Sequence, residues 1–506
     1  MKSTLLFLFF TGMSAVALPT PDPDEQILGL NAPDQSLSTS ITIGEHTFVN
    51  KGLVAFGLIP SNAKDKFGET IGGIGSSIAI QRGTFQVHGN GTFTGKLYVQ
   101  PDRGYNVEAP IDWQTRIHEL AFTLKPYYGT KHLSFEEAQR TLQLQYLSTT
   151  LQTFRNQPTS GADPTAFEGS SNIQYPVVSA NYTRLTVDPE GLVQNAATFT
   201  EDGEPSFWVS DEYGPYIHLL SKDGTVLKTI APPDAVLPRN RNGQLDFTSL
   251  VEPATGRCAN QGFEGLTTSA SGDKLYAFLQ SALKQDGGGD RKTNRYTRLF
   301  MWDISAGAAG NATLEAEWIV PLPQSNKLET FAQSEIHWLN EHQFLVLARD
   351  GKGAGDDKPE SSYKGVDVID ISSATNIANS VYDGATGAVT PGGQIVANVT
   401  PVTYTPFVQM IDKTQLSRFG LHNGKPADKT LIAAKWESLA LVPVGDALYP
   451  DDYFLFTFAD NDFQTKDGVS MGKPYTAGVD VDNQAMVWRV ELPTVQRGSV
   501  ETLIGV

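Results

Sequence analysis

Three short stretches of the chain share a glutamate, then a small residue, then a leucine: Glu190-Gly191-Leu192, Glu264-Gly265-Leu266 and Glu437-Ser438-Leu439. Ser334-Glu335-Ile336 is a looser cousin. Each is followed by an apolar run that closes on polar residues, among them Asp211-Glu212, Arg349-Asp350 and Asp460-Asn461-Asp462. An acid set just before a buried leucine is costly unless it is solvated, paired or metal-bound. If these positions converge, their oxygens suit a hard cation such as Ca²⁺. Such a cation could hold a phosphate ester, polarise it and activate water. On that reading Glu190, Glu335, Asp350 and Glu437 line a channel, with Glu264 among them. Asp211, Glu212, Glu264 and Arg349 carry catalysis, Arg349 holding the anionic ester. Asp211, Asp460 and Asp462 ligate the cation or activate water. The plainer alternative is that each acid caps a strand end and pairs with an arginine or a backbone N–H.

Standard catalytic signatures are missing. Gly75-Ser76-Ser77-Ile78-Ala79 fails as a nucleophile elbow at its last position. Gly95-Lys96 lacks the leading glycine of a phosphate loop and is followed by Leu97. No H-E-x-x-H occurs, and the eight histidines show no metal-ligand spacing. Asp460-Asn461-Asp462 resembles the opening of a calcium loop, but no glycine and glutamate follow at EF-hand spacing. Asp211-Glu212-Tyr213-Gly214-Pro215 reads as two acids entering a tight turn, which also serves a structural role.

Strands must position these groups. Runs rich in β-branched and aromatic residues recur at 76–80, 92–99, 119–124, 206–210, 217–221, 274–280, 298–304, 343–348, 365–371, 453–458 and 485–491, each closed by turn residues. One helix is expected over 134–146, with Ser134 and Glu137 as a capping box. The acid motifs return at the same place in successive units of three to four strands. That pattern predicts an all-β fold, a β-propeller of about six blades with long inserted loops. A set of β-sandwich domains is the alternative. Residues 40–56 are placed to close the ring against the last strand.

Composition bounds the setting. The first residues read as a signal peptide: Lys2, an apolar core from Leu5, and small residues at Ala15 and Ala17 before a cut after residue 17. Residues 18–41 read as an extended segment and 42–506 as the propeller. Sequons at Asn90, Asn181, Asn311 and Asn398 fit glycan-bearing surface loops of a secreted chain. Cys258 is the one cysteine, so no internal disulfide forms, and it reads as a buried small hydrophobe. Lys and Arg total 38 against 56 Asp and Glu, with no basic block for a nucleic-acid backbone. No stretch is long and apolar enough for a membrane span. A monomer acting on a small ester or other anionic ligand is expected.

The motifs Asp188-Pro189-Glu190-Gly191-Leu192, Phe207 to Pro215, Asn260 to Leu266, Leu345 to Asp350, Trp436 to Ala440 and Asp460 to Phe463 resemble those of the phytase-like family, also described by an esterase-like activity of phytase. With the strand pattern around them, the resemblance spans about residues 72–492. It implies a β-propeller and a phosphoric-ester hydrolase that uses a metal ion, and a chain of this kind looks fungal. Two positions depart from the family pattern: Ser438 replaces a glycine, and Ala348 stands where an acid is often seen, which removes one potential ligand. No R-H-G-x-R-x-P motif of histidine acid phytases occurs, so phytate cleavage is not implied. Two other functions fit the same acids, a non-catalytic ligand-binding propeller and a calcium-dependent, lactonase-like esterase. A phosphate substrate makes a cation close to obligatory at an acidic site, whereas a neutral lactone does not.

Overall fold

The computed structural model describes residues 32–106, 109–169, 173–195 and 206–506. The expected signal peptide and most of the extended segment lie outside the described residues. The rest of that segment holds a short 3₁₀ turn, Gln35–Leu37, and the start of the strand Thr39–Ile43.

Five antiparallel sheets of four or more strands follow one another along the chain. Their innermost strands are Ser77–Ile80, Pro189–Gln194, Phe263–Thr268, Ala332–Trp338 and, in the fifth sheet, Lys435–Trp436 with Ala440–Pro443. The expected strands fall within one to three residues of those observed. The alternation of side chains explains why they stack. In Asp452–Asp460 every residue is buried. Phe454, Phe456 and Phe458 pack toward the first sheet, and Tyr453, Leu455 and Ala459 toward the fourth. A strand covered on both faces reads as a continuous apolar run. The same division repeats around the molecule. Separate apolar cores join the first sheet to the second, second to third, third to fourth, fourth to fifth and fifth to first. This is an all-β, propeller-like ring.

Where the sequence suggests about six units, five sheets enclose the axis among the described residues. A sixth sheet of only three strands, Ala166–Glu168, Tyr175–Ser179 and Tyr182–Leu185, lies in the connection between the first and second sheets and lends no strand to the axis. The ring is closed as expected: His46–Ile59 pairs antiparallel with Asn483–Glu491 and carries Thr39–Ile43 outside it.

The helix expected over 134–146 is one turn only, Phe135–Ala138. Its capping box is present, with Ser134 Oγ accepting from Glu137 N and the Glu137 carboxylate accepting from Ser134 N. Leu142–Leu151 is instead an edge strand of the first sheet, paired with Arg116–Leu124. Its alternating Leu-Gln-Leu-Gln pattern matches a pleat, and tertiary pairing overrides helical propensity there.

The axis is closed at one end. The far halves of the five inner strands line a cavity of about 70 Å³. Leu503 and Ile504 of the C-terminal helix Ser499–Ile504 lie against it. Arg82 fixes that helix by donating to Thr502 O at 2.7 Å, and Gly83 N donates to Ile504 O at 2.8 Å. Glu190, Glu264 and Glu437 stand at the start of the inner strands of the second, third and fifth sheets, so they gather at the opposite end.

Candidate functional site

Backbone irregularity aims the acids. The inner strands of the second, third and fourth sheets shift register at Pro189/Leu192, Phe263/Gly265 and Gln333/Glu335. Such bulges re-aim side chains next to functional sites. The glycine of the motif answers close approach. A Cβ on Gly191 would lie 2.5 Å from Leu266 Cβ, and one on Gly265 2.9 Å from Ile336 N. The departure to Ser438 is accommodated because its hydroxyl turns back on its own sheet, accepting from Phe458 N at 3.2 Å.

Eight carboxyl groups meet at this end. Two triads have oxygens within 4.8 Å of one another: Asp188, Glu190 and Glu212, and Asp102, Asp460 and Asp462. Glu264 and Glu437 stand beside them, close enough to act electrostatically on Glu190. Three cationic side chains enter the group. Arg103 binds Asp188 at 3.1 Å. Arg349 pairs with Glu437. Lys435 pairs with Asp460, reaches Asp462 at 2.8 Å and Glu437 at 3.5 Å.

Burial and mutual repulsion raise most of these acids. Burial, then Glu264 and Asp188, holds Glu190 well above the usual range. Burial, then Glu212 and Glu437, does the same for Glu264. Glu212 is pushed up to about 8 by burial and then by Asp188. Asp188 rises to about 6, burial outweighing Arg103. Asp460 rises to about 7, burial outweighing Lys435. A site so crowded keeps protons or gathers cations.

The sequence-derived residues divide into three groups. The structure brings Glu190, Glu212, Glu264, Arg349, Glu437, Asp460 and Asp462 together. Asp211 is buried but stands in neither triad, so the structure does not bring it together with Asp460 and Asp462 as one ligand set. Its oxygens accept from the backbone N–H of Asp188 and Tyr213 at 2.9 Å and of Gly214 at 3.1 Å. It fixes the turn that presents Glu212, with Arg257 donating to Tyr213 O from below at 2.9 Å. Glu335 and Asp350 lie apart from the mouth. Glu335 sits on the closed axis, accepting from Leu266 N and Ser77 Oγ at 3.0 Å and from Ile336 N at 2.9 Å. Ser77 Oγ in turn accepts from Leu192 N at 2.9 Å, so this relay ties four of the five inner strands. Asp350 serves the fourth sheet, accepting from Ser361 Oγ and Ser362 N at 2.7 Å, with Lys364 Nζ 3.5 Å away. Cys258 is buried as expected, and burial pushes its thiol up to about 12. Asn90, Asn181, Asn311 and Asn398 are all exposed.

Sequence reasoning missed Asp102, Arg103, Asp188, Gln280 and Lys435. Asp188 and Lys435 each precede a motif glutamate by two residues, a spacing that shares a face of a strand. Asp102 follows the second strand of its sheet, the place Asp211 and Asp460 occupy in theirs, although its unit lacks the glutamate motif. Gln280 pairs with Glu264 Oε1 from the end of the neighbouring strand.

Among the described residues, two enclosed acid oxygens here have no hydrogen-bond partner: Glu212 Oε1 and Glu264 Oε2. Two oxygens on one Ca²⁺ lie at most about 5 Å apart. The triad Asp188, Glu190 and Glu212 meets that spacing, and Glu212 Oε1 is left for a ligand. The residues therefore fit a hard divalent cation.

A relative from Arthroderma benhamiae named "Uncharacterized secreted protein" is 38% identical over 474 residues, covering 84% of this chain and 90% of that one. A GH43 β-1,3-galactosidase solved with galactodeoxynojirimycin aligns with 9% identity and a TM-score of 0.30, over 85% of this chain and 94% of the other. Among the described residues no helix is long and apolar enough to cross a membrane. The family described as "Phytase-like: Esterase-like activity of phytase" matches residues 87–463, a span that holds every mouth residue from Asp102 to Asp462. This chain belongs to the phytase-like family.

Proposed function

We propose that the chain is a secreted hydrolase of phosphoric esters that works with a hard divalent cation, Ca²⁺ first among candidates, on a propeller scaffold. The observation that carries the reading is Glu212 Oε1, enclosed and unpartnered in a triad of converging carboxylates. Family membership supports the reaction class. The expected signal peptide, the exposed sequons and the secreted relative support export.

Asp188, Glu190 and Glu212 would hold the cation, with Asp211 fixing the turn behind them. Bound there, the ion would polarise a phosphoryl oxygen and make a bound water more acidic. Arg103, Arg349 and Lys435 offer positive charge to the remaining ester oxygens. Glu264 is held through Oε1 by Gln280, which leaves Oε2 to give a proton to the departing alcohol. Water supplies the hydroxyl that bonds phosphorus as the P–O bond to the alcohol breaks, and its proton passes to an ionised carboxylate of the mouth. Arg349, paired with Glu437, offsets that carboxylate's repulsion of the anionic ester.

The test is hydrolysis of p-nitrophenyl phosphate by the mature protein before and after chelation. Turnover should vanish with chelator and return with Ca²⁺. Glu264→Gln should lower kcat about 10²-fold, the usual worth of a positioned acid. Lactone or carboxyl-ester turnover without phosphatase activity would replace the substrate class. No turnover of either would leave a ligand-binding propeller.

A further inference from the structure

The two carboxylate triads are alike in composition and differ in what fills them. Around Asp102, Asp460 and Asp462 the occupant is on the chain itself. Lys435 Nζ contacts Asp460, lies 2.8 Å from Asp462 and 3.5 Å from Glu437. Asp102 acts on the same ammonium, and these carboxylates hold Lys435 protonated against burial. No ammonium is bound within Asp188, Glu190 and Glu212. Arg103 meets Asp188 from the side at 3.1 Å, and Glu212 Oε1 has no partner.

A tethered ammonium and a divalent cation cannot share one triad. At about 4 Å their repulsion is several kcal/mol in a partly buried setting. The lysine is covalently present at every moment, so it keeps the position against any free ion at ordinary concentration. Its side chain remains 25% exposed. Enzymes that clamp a phosphoryl group between two positive centres commonly use two metal ions about 3.5–4 Å apart.

We infer that Lys435 occupies the second cation position of the mouth, so that the protein takes a single divalent ion, at Asp188, Glu190 and Glu212. The single-ion half rests on the cation-dependent reading proposed above. The place of Lys435 does not. A further consequence is that removing the ammonium opens a second divalent site formed by Asp102, Asp460 and Asp462.

Calorimetric titration of chelator-stripped mature protein with Ca²⁺ tests this by stoichiometry, with no need for turnover. The expected values are one ion for wild type, none for Glu212→Gln, two for Lys435→Met, and one again for Lys435→Met combined with Asp460→Asn. Lys435→Arg, which keeps the charge, should stay at one. A wild type that binds two ions, or a folded Lys435→Met that still binds one, overturns the inference and leaves a metal-dependent hydrolase standing. A wild type that binds none while Lys435→Met binds one removes the ion from the proposed function and supports the place given to Lys435. Should Lys435→Met fail to fold, Asp462→Asn decides. Its partly exposed carboxylate is not a ligand of the single ion, so stoichiometry should remain one. A fall to none would put the ion in the Lys435 triad and overturn the assignment.

Discussion

At the scale of single residues, the same side-chain type does opposite work a few ångströms apart. Glu212 is left with an open oxygen and Glu335 with none, although both are buried glutamates. Burial pushes Glu335 up to about 8 from an ordinary 4.5, against the three donors that pull it down. The folded chain therefore keeps a proton that the unfolded chain releases above about 4.5. Stability linked to this group is complete below that pH and declines as pH rises toward about 8. Glu335→Gln should flatten that decline, measured as Tm by circular dichroism from pH 5 to pH 8.5. An unchanged slope would assign the pH dependence to other groups. Glu190, Glu264 and Glu437 were legible in the sequence because an acid before a buried leucine needs a reason. Glu335 carries a looser form of that signature and answers it with hydrogen bonds. Sequence could not separate the two, because the distinction lies in which donors another sheet brings.

At the scale of elements, the strand positions were readable from composition because the central strands, such as Phe263–Thr268 and Asp452–Asp460, are covered on both faces. The one expected helix was not, since Leu142–Leu151 owes its state to a partner strand distant in sequence. Asp102 was missed for a related reason: its sheet joins the mouth through the end of a second strand, without the motif that marks the others. Close contact between elements also sets a demand the motif only hints at. A Cβ on Gly75 would lie 2.0 Å from Ala459 C and 2.3 Å from Asp460 N. Gly75→Ala should therefore push the first sheet off the strand that carries Asp460, costing about 3 kcal/mol. Chemical denaturation gives that value directly. A loss under about 0.5 kcal/mol would mean that the two backbones separate easily.

At the scale of the whole molecule, five sheets depend on one another in a circle, and chain ends meet in the fifth. Phe56 is fully buried where the N-terminal strand joins the C-terminal one, packed against Phe135 at 5.7 Å between ring centroids. Phe56→Ala should cost about 3–5 kcal/mol. Because closure holds both ends, the loss should lower the single unfolding transition and not split it, as calorimetry would register. A separate early transition would show that the closing sheet opens by itself. The count of units was the part of the architecture that periodicity could not settle, because long insertions blur the spacing and one of them carries a small sheet of its own.

The closed end of the axis bears on how any reaction at the mouth would proceed in time. The C-terminal helix lies beneath the axis and the Glu335 relay crosses its middle, which narrows it there to a cavity of about 70 Å³. Arrival and departure share one doorway. On the proposed reaction, a leaving phosphate would retreat past the same positive groups, Arg103, Arg349 and Lys435, that would draw its parent ester in. Residence of the product, set by those groups, would then limit how soon the next molecule enters.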